Sequence, residues 1–533
     1  MRVWPVVLLA AGAASAARAQ GAASRYWRPE ERTLVTDLSG VVAISATQSN
    51  VYAATRDALA IYDRFSLGLQ EVVGTMDGYP GGRVTTMVAD PGDAVVWLGG
   101  IGGWASFDPL SRRFDGGAMP GSADLVVLDR SAPSSGAYFH TQAGWYFVPE
   151  LGFAAQPATS VPPPGDRIGS LTGAELLARA PAFELVRLQI QRDARLRTWP
   201  ISGAVMPPAS TDLFVATDGN GIFRVDVNSY ALERLPAGLL AAPTASVAVS
   251  GGDVCAGTDA RFGALRRGVT CFSTDLENFQ YYEGNPVSGM PGRILRRLLV
   301  TRSAVWAATD QGALRVDRQS GDVRQFTPAA GLPSWDVRAL AATSSGVWVG
   351  TTGGLAQVPD NGALRASAAI TLDAAVLALA SRGDTLWIGT SVGPYILPPG
   401  ASAPLALAPG DPALAAPIVA LVLKGDTLLA ATTSRLAWRA GAGGGAAAGA
   451  WHEGPPPAPA IGDFTALAAD RAGFWVAGTA GLAFYQPARN VWRALTMPGD
   501  VPQPVSDVAV GRDHVWAATP AGVVRLERRV LAP

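Results

Sequence analysis

Soft and basic ligand residues are scarce in this chain: 533 residues hold two cysteines, three histidines and a single lysine, Lys424. No triplet of His, Cys and carboxylate has metal-ligand spacing, so neither a metal nor another cofactor is expected. Asp218-Gly219-Asn220-Gly221 has the flavour of a calcium loop, but it lacks the later acidic ligands and reads as a turn. Charge is scarce as well. Charged residues make up 16% and the formal net charge is −1, which gives no electrostatic case for nucleic acid or an anionic membrane as partner. Long apolar runs are missing: Ala415 to Val422 falls far short of the ~20 residues a spanning helix needs. No Gly-x-Ser-x-Gly elbow or Walker loop is present, and no pair of carboxylates is placed for acid–base work. What remains is a folded chain, 48% hydrophobic, long enough for several cores.

The N-terminus has the pattern of a secretory leader. Met1-Arg2 is a minimal positive region, Val3 to Ala16 is short and apolar, and Ala17-Arg18-Ala19 is a small-x-small cleavage site. The expectation is a signal peptide over residues 1–19, a mature chain from Gln20, and a periplasmic or secreted location. No Cys follows the cleavage site, which argues against a lipid anchor. Arginine in place of lysine throughout points to a GC-rich bacterial genome.

One phrase comes round eleven times: a bulky residue, small residues, usually a Thr, then a turn and a Gly-hydrophobic pair. Six copies carry Trp97, Trp306, Trp348, Trp387, Trp475 and Trp516; five carry Tyr52, Tyr138, Phe214, Cys255 or Leu429. Most copies lie about 40 residues apart, the period of four-stranded propeller blades. Asp322 to Pro359 shows the parts. Val323 to Phe326 reads as an outer strand, Val337 to Ala341 as an inner one, and Val347 to Thr351 as the Trp strand. Leu355 to Val358 returns after the Thr352-Gly353-Gly354 turn. The tryptophans read as core between blades, and the small residue two places on (Gly350, Ala308, Gly389) lets neighbouring blades approach.

Gly331-Leu332-Pro333, Val337, Leu340, Trp348-Val349-Gly350-Thr351 and Gly353-Gly354-Leu355 resemble the two-component regulator propeller repeat. Trp387-Ile388-Gly389-Thr390 and Trp475-Val476-Ala477-Gly478-Thr479 resemble it too. The likeness is strongest from about Arg293 onward and degenerate before Val215. It implies an all-β propeller of the type found in periplasmic sensor regions of hybrid histidine kinases and in free exported proteins. Nothing after Leu526 resembles an output module.

Eleven to twelve four-stranded blades exceed the usual four to eight of one ring, so two rings are expected, over residues 20–240 and 241–533. Thr172-Gly173-Ala174-Glu175 looks like a capping box opening a short helix to Ala180, within a helical insertion near 165–185. Leu188 to Trp199 reads as a further strand hairpin, a degenerate twelfth blade. Ser24-Arg25-Tyr26-Trp27-Arg28-Pro29 resembles the outer-strand phrase Asn490 to Arg493, so the mature N-terminus is expected to complete the last blade and cover its edge.

Cys255 aligns with Trp306 and Cys271 with Arg315, positions that face each other across adjacent strands. In an exported protein such a pair is expected as a disulfide; two buried free thiols are the alternative.

Function is less legible. The first reading is a non-enzymatic, monomeric propeller binding an extracellular glycan or peptide through loops on one pore face: Tyr79, Arg83, Asp310, Trp335, Asp336 and Asp463. A structural or assembly propeller of the cell envelope or secretion machinery, with an envelope protein as partner, is the alternative. A propeller-scaffold lyase or hydrolase is a third, and it lacks a catalytic constellation. Of the histidines, His452 and His514 read as solvated; His140 is odder, in the small-residue slot after Tyr138.

The cysteine pairing is directly testable. Thiol titration of the denatured, unreduced protein is expected to find no free thiol, and the closed loop to contribute on the order of 3 kcal/mol in the chain-entropy model. Two reactive thiols would refute it.

Overall fold

The computed structural model describes residues 27–528 except 153, 170–182, 208, 261–266, 285–288, 362, 364, 409–410, 412–413, 442–448, 455–460 and 496–499. The leader, the start of the Ser24 phrase and the helix expected over Thr172 to Ala180 lie outside the described residues.

Each repeat folds as a four-stranded antiparallel sheet, and the phrase that marks it has a physical cause at every position. The Thr ties a hairpin. In the sheet over residues 337–371, Thr351 Oγ1 accepts from the Gly353 amide (3.2 Å) and donates to the Gly354 carbonyl (3.0 Å). The same donation recurs from Thr309, Thr390 and Thr519 to Gly312, Gly393 and Gly522. Gly354 has φ +134°, and a Cβ there would lie 2.1 Å from the Ile370 carbonyl oxygen, so the position needs glycine. Gly350, two after Trp348, has no room either: a Cβ would sit 2.5 Å from Val376 of the next blade. The small slot is therefore where the innermost strand of one blade seats against its neighbour.

Eleven blades follow one another along the chain. Blade 1 covers residues 41–74, and blades 2 (84–118) and 3 (123–157) share a seven-stranded sheet. The long strand Arg113–Asp129 passes from the outer position of blade 2 to the inner position of blade 3. Blade 4 covers 201–234, blade 5 244–282, blade 6 295–326 and blade 7 337–371. Blade 8 covers 376–406, blade 9 420–453 and blade 10 464–495. Blade 11 has Asp507–Val510, His514–Thr519 and Gly522–Glu527, with Arg32–Val35 as its outer strand.

The innermost strands of blades 5 to 11 neighbour one another in order, and blade 11 returns to blade 5, closing a seven-blade ring. Blades 1 to 4 form an arc in the spatial order 4-1-2-3. The outer flank of blade 4 is covered by a helix, Phe183–Gln191, whose Val186 and Ile190 pack on Leu213, Val215 and Phe223. Buried Asn220, in the turn with the calcium-loop flavour, donates to the Ile190 carbonyl (2.8 Å) and holds the helix end. Here the sequence reading is corrected: Leu188 to Gln191 ends a helix rather than starting a twelfth blade. Amphipathic spacing alone hid this, because Leu188, Ile190 and Leu196 alternate as a strand would.

The N-terminal segment does complete blade 11, with a shift of position. The pairing strand is Arg32–Val35, Leu34 opposite Val524. Trp27, read as part of that strand, is buried instead, stacked on Trp475 at 6.3 Å, with its indole donating to the Glu527 carbonyl (3.1 Å). Cys255 and Cys271 are directly opposed and joined by a disulfide.

Trp387 is 1% and Trp348 8% exposed, whereas Trp335 is 51% exposed. Trp387→Ala and Trp348→Ala are each expected to destabilise the fold by roughly 3–5 kcal/mol, and Trp335→Ala to leave the denaturation midpoint nearly unchanged. Equal shifts in chemical denaturation for all three would contradict the assignment.

Candidate functional site

A single backbone device sets what the blades present at their mouths. In nine blades the second residue of the innermost strand is an extra residue, unpaired to the Trp strand. Such a bulge re-aims its side chain out of the ladder. In the ring the bulged residues are Ala245, Arg296, Arg338, Leu377 and Thr465. Two arginines therefore stand side by side on adjacent blades 6 and 7.

Asp336 fastens them. Its Oδ1 accepts from Nε of Arg296 (2.9 Å), and Nη2 of the same guanidinium lies 2.9 Å away in an ion pair. Its Oδ2 accepts from Nε (3.0 Å) and Nη2 (2.9 Å) of Arg338. Among the described residues the Nη1 of each guanidinium engages nothing, so two fixed forks with a net positive charge face outward. The loop that carries Trp335 and Asp336 is firmly held. Leu332 is buried, Gly331 takes φ +99°, and Ser334 and Thr352 hydroxyls lie 2.8 Å apart. The Thr352 amide donates to the Asp336 carbonyl (3.1 Å). Trp335 projects from this rigid loop into solvent.

The other anticipated residues divide. Asp310, on blade 6, caps the main chain, accepting from the Arg293 (2.9 Å) and Ile294 (3.0 Å) amides; its carboxylate positions a loop. Asp463 is exposed on blade 10, across the ring from blade 7. Tyr79 needs correction as a surface residue: it is 3% exposed, its hydroxyl donates to the Thr55 carbonyl (2.6 Å), and burial raises its pKa. Arg83 is exposed on the arc, apart from the ring mouth. Arg296 and Arg338 were missed in the sequence. The signal that could have found them is the residue after the first hydrophobic of each inner strand, which is arginine only in blades 6 and 7 of the ring.

Deeper in the ring, the residue opposite the small slot is alanine in blades 7 to 10 but Asp507, Ser246 and Arg297 in the contiguous blades 11, 5 and 6. Arg297 crosses the channel. It pairs with Asp507 and also reaches the Thr465 carbonyl of blade 10 (3.4 Å). Asp507 further accepts from the Ser246 hydroxyl and the Val247 amide (3.2 Å), and Ser246 Oγ accepts from the Leu298 amide (3.0 Å). This carboxylate is fully engaged and almost wholly buried, which suits it to bracing three blades and not to proton transfer.

Of the histidines, His140 faces Asp124 (Nδ1 to Oδ1, 2.7 Å) on blade 3 and lies 4.9 Å from the Trp145 ring. His452 is exposed, as anticipated. His514 is half-buried against Trp516 rather than solvated, and that burial lowers its pKa.

Removing the channel carboxylate tests the bracing role. Asp507→Ala is expected to cost about 3 kcal/mol, because it strands a guanidinium and a buried hydroxyl, and Arg297→Ala in that background to cost little more. Additive losses in urea denaturation would show that the pair is not coupled.

No family model and no curated protein matches the chain. Solved structures similar to it include the extracellular domain of the hybrid two component system BT4673 from B. thetaiotaomicron, 12% identical, with a TM-score of 0.45 over 92% of this chain and 70% of that one. A catalytically inactive virginiamycin B lyase from Staphylococcus aureus with quinupristin is 14% identical, with a TM-score of 0.44 over 54% and 94%. PorZ, a bacterial surface component of the type-IX secretion system of Porphyromonas gingivalis, is 11% identical, with a TM-score of 0.35 over 93% and 87%. Likeness at this level carries no argument about what this chain does. By its own sheets and repeat, the chain is a multi-blade β-propeller whose repeat resembles that of the two-component regulator propellers.

Proposed function

We propose that this is an exported, non-enzymatic propeller that binds an extracellular glycan or peptide bearing an anionic group at the mouth of the seven-blade ring. The observation that carries the reading is the arginine pair. Arg296 and Arg338 are pre-oriented by one carboxylate, each with an Nη1 unengaged among the described residues, and the exposed Trp335 precedes that carboxylate on its loop. Guanidinium forks suit carboxylates geometrically, and an exposed indole offers a face for a sugar ring or an apolar side chain. The leader pattern and the Cys255–Cys271 disulfide support a life outside the cytoplasm. The repeat's resemblance to sensor propellers supports recognition over turnover. The nearest carboxylate, Asp336, is spent on the two arginines.

A glycan array and calorimetry with the mature protein test this, comparing uronate-bearing with neutral oligosaccharides and acidic with neutral peptides. The expected result is binding of an acidic ligand that weakens at least tenfold in Arg338→Ala and in Trp335→Ala, with the melting temperature nearly unchanged. That fold-change corresponds to about 1.4 kcal/mol. Binding should also weaken with rising salt. Turnover of the bound ligand would move the protein to the enzyme class. Binding untouched by these changes would remove the ring mouth from the site.

A further inference from the structure

Blade 2 departs from the repeat in a way that the ring site does not use. Where blade 7 reads Thr351-Thr352-Gly353-Gly354-Leu355, blade 2 reads Gly100-Ile101-Gly102-Gly103-Trp104. The outer strand differs as well. Trp104 is paired with Gly117, at the place where blade 6 pairs Ala313 with Phe326 and blade 7 pairs Leu355 with Ile370. Aromatic mass has moved from the outer strand to its neighbour, where Trp104 lies 5.8 Å from Trp97, and the outer strand is left bare at Gly116-Gly117-Ala118.

A cavity of about 270 Å³ lies over this bare stretch. It is lined by Val84, Leu98, Ile101, Trp104 and Ala118 with the surrounding glycines, and Arg83, which is exposed, belongs to the same lining. Gly100 is fixed by packing, since a Cβ would lie 2.4 Å from the Arg83 carbonyl oxygen. That carbonyl instead accepts from the Ile101 amide (2.8 Å), which joins Arg83 to the turn. The Arg83 guanidinium is exposed and makes no hydrogen bond or ion pair among the described residues. Ile101, an aliphatic side chain 59% exposed, stands beside it.

We propose that this cavity is a second binding site, independent of the ring mouth, that takes the C-terminal residue of a peptide. Its apolar side chain enters the cavity and its α-carboxylate meets Arg83. The volume falls just below the about 300–1,000 Å³ of whole-ligand pockets, which suits one side chain and a terminus better than an oligosaccharide. An apolar lining with a guanidinium that is unpaired among the described residues matches an apolar residue ending in a carboxylate, and guanidinium pairs bidentately with that group.

The test uses N-acetyl-Leu-Phe as free acid and as C-terminal amide, titrated into the mature protein by calorimetry. The acid is expected to bind at least tenfold more tightly than the amide. Arg83→Ala should bring the acid down to the amide's affinity, and Arg83→Lys should recover part of the difference. Ala118→Phe, at an exposed position, should abolish binding of both while leaving the melting temperature unchanged; Arg83→Glu gives a second loss that involves no packing. Arg338→Ala and Trp335→Ala should change nothing, which separates this site from the ring mouth. Equal affinity for acid and amide, or binding that survives Arg83→Glu, would overturn the proposal. Displacement of the peptide by decanoate with higher affinity would overturn the assignment to a peptide terminus.

Discussion

Four residue pairs between Arg32–Val35 and Val523–Leu526 close the ring, and most of the architecture depends on them. Between blades of the ring there is no continuous ladder; apolar packing holds the circumference, helped by single bonds such as that from the Phe464 amide to the Thr433 carbonyl (2.8 Å) and by the Asp507 network. Making one sheet from both ends of the chain turns that packing into a closed circuit and covers an otherwise exposed edge. The latch is reinforced where both ends meet blade 10. Trp27 stacks on Trp475, and Arg528 bonds both oxygens of Asp470, which also accepts from the Trp475 indole. Burial alone would raise the Asp470 carboxyl, but the hydrogen bonds from Arg528 and Trp475 and the charge of Arg528 outweigh it and hold it below its usual range. The folded state thus favours the ionised carboxylate. Its contribution is present at neutral pH and is lost as pH falls through the lowered value.

With the circumference fixed, the mouth can be decorated without disturbing it. The bulge in five of the ring's innermost strands separates the residues that build the channel wall from those that face outward. Arg296 faces out beside Asp336, while Arg297, the next residue, turns inward to Asp507. Adjacent arginines in sequence thereby pair with different carboxylates on different blades, and the difference between them is one extra residue in a ladder.

The blade repeat was legible because its demands are local. Thr ties a hairpin, Gly takes a positive φ, and a small residue admits the next blade; each leaves a residue type at a fixed spacing. The cysteine pairing was legible by the same register. The helix Phe183–Gln191 was not, because its apolar positions serve a strand as well as a helix. Among surface residues, sequence position put Trp335 and Asp336 in one loop but could not show what Asp336 holds, since Arg296 comes from another blade forty residues away. Tyr79 was misplaced because loop membership says nothing about which way an aromatic side chain turns, and this one turns into the core between blades 1 and 2.

The chain leaves the ring at Thr36 and returns to it at Leu239, and the two crossings lie against each other. The Leu239 amide donates to the Thr36 carbonyl (2.8 Å) and the Leu38 amide to the Ala237 carbonyl (2.9 Å). Gly238 makes the approach possible, for a Cβ there would lie 2.0 Å from the Thr36 oxygen. Tyr62 of blade 1 and Tyr281 of blade 5 secure the neighbouring carbonyls of Pro236 and Gly238, one from each side. In genealogical terms the four-blade arc has the form of an insert: a short turn from Thr36 to Leu239 would leave every strand of the ring in place. It is not a loosely tethered passenger, however. Leu34, Leu38, Val41, Tyr62, Phe484 and Val524 belong to one continuous core that spans arc and ring, so a ring relieved of its arc would bare that apolar face to water.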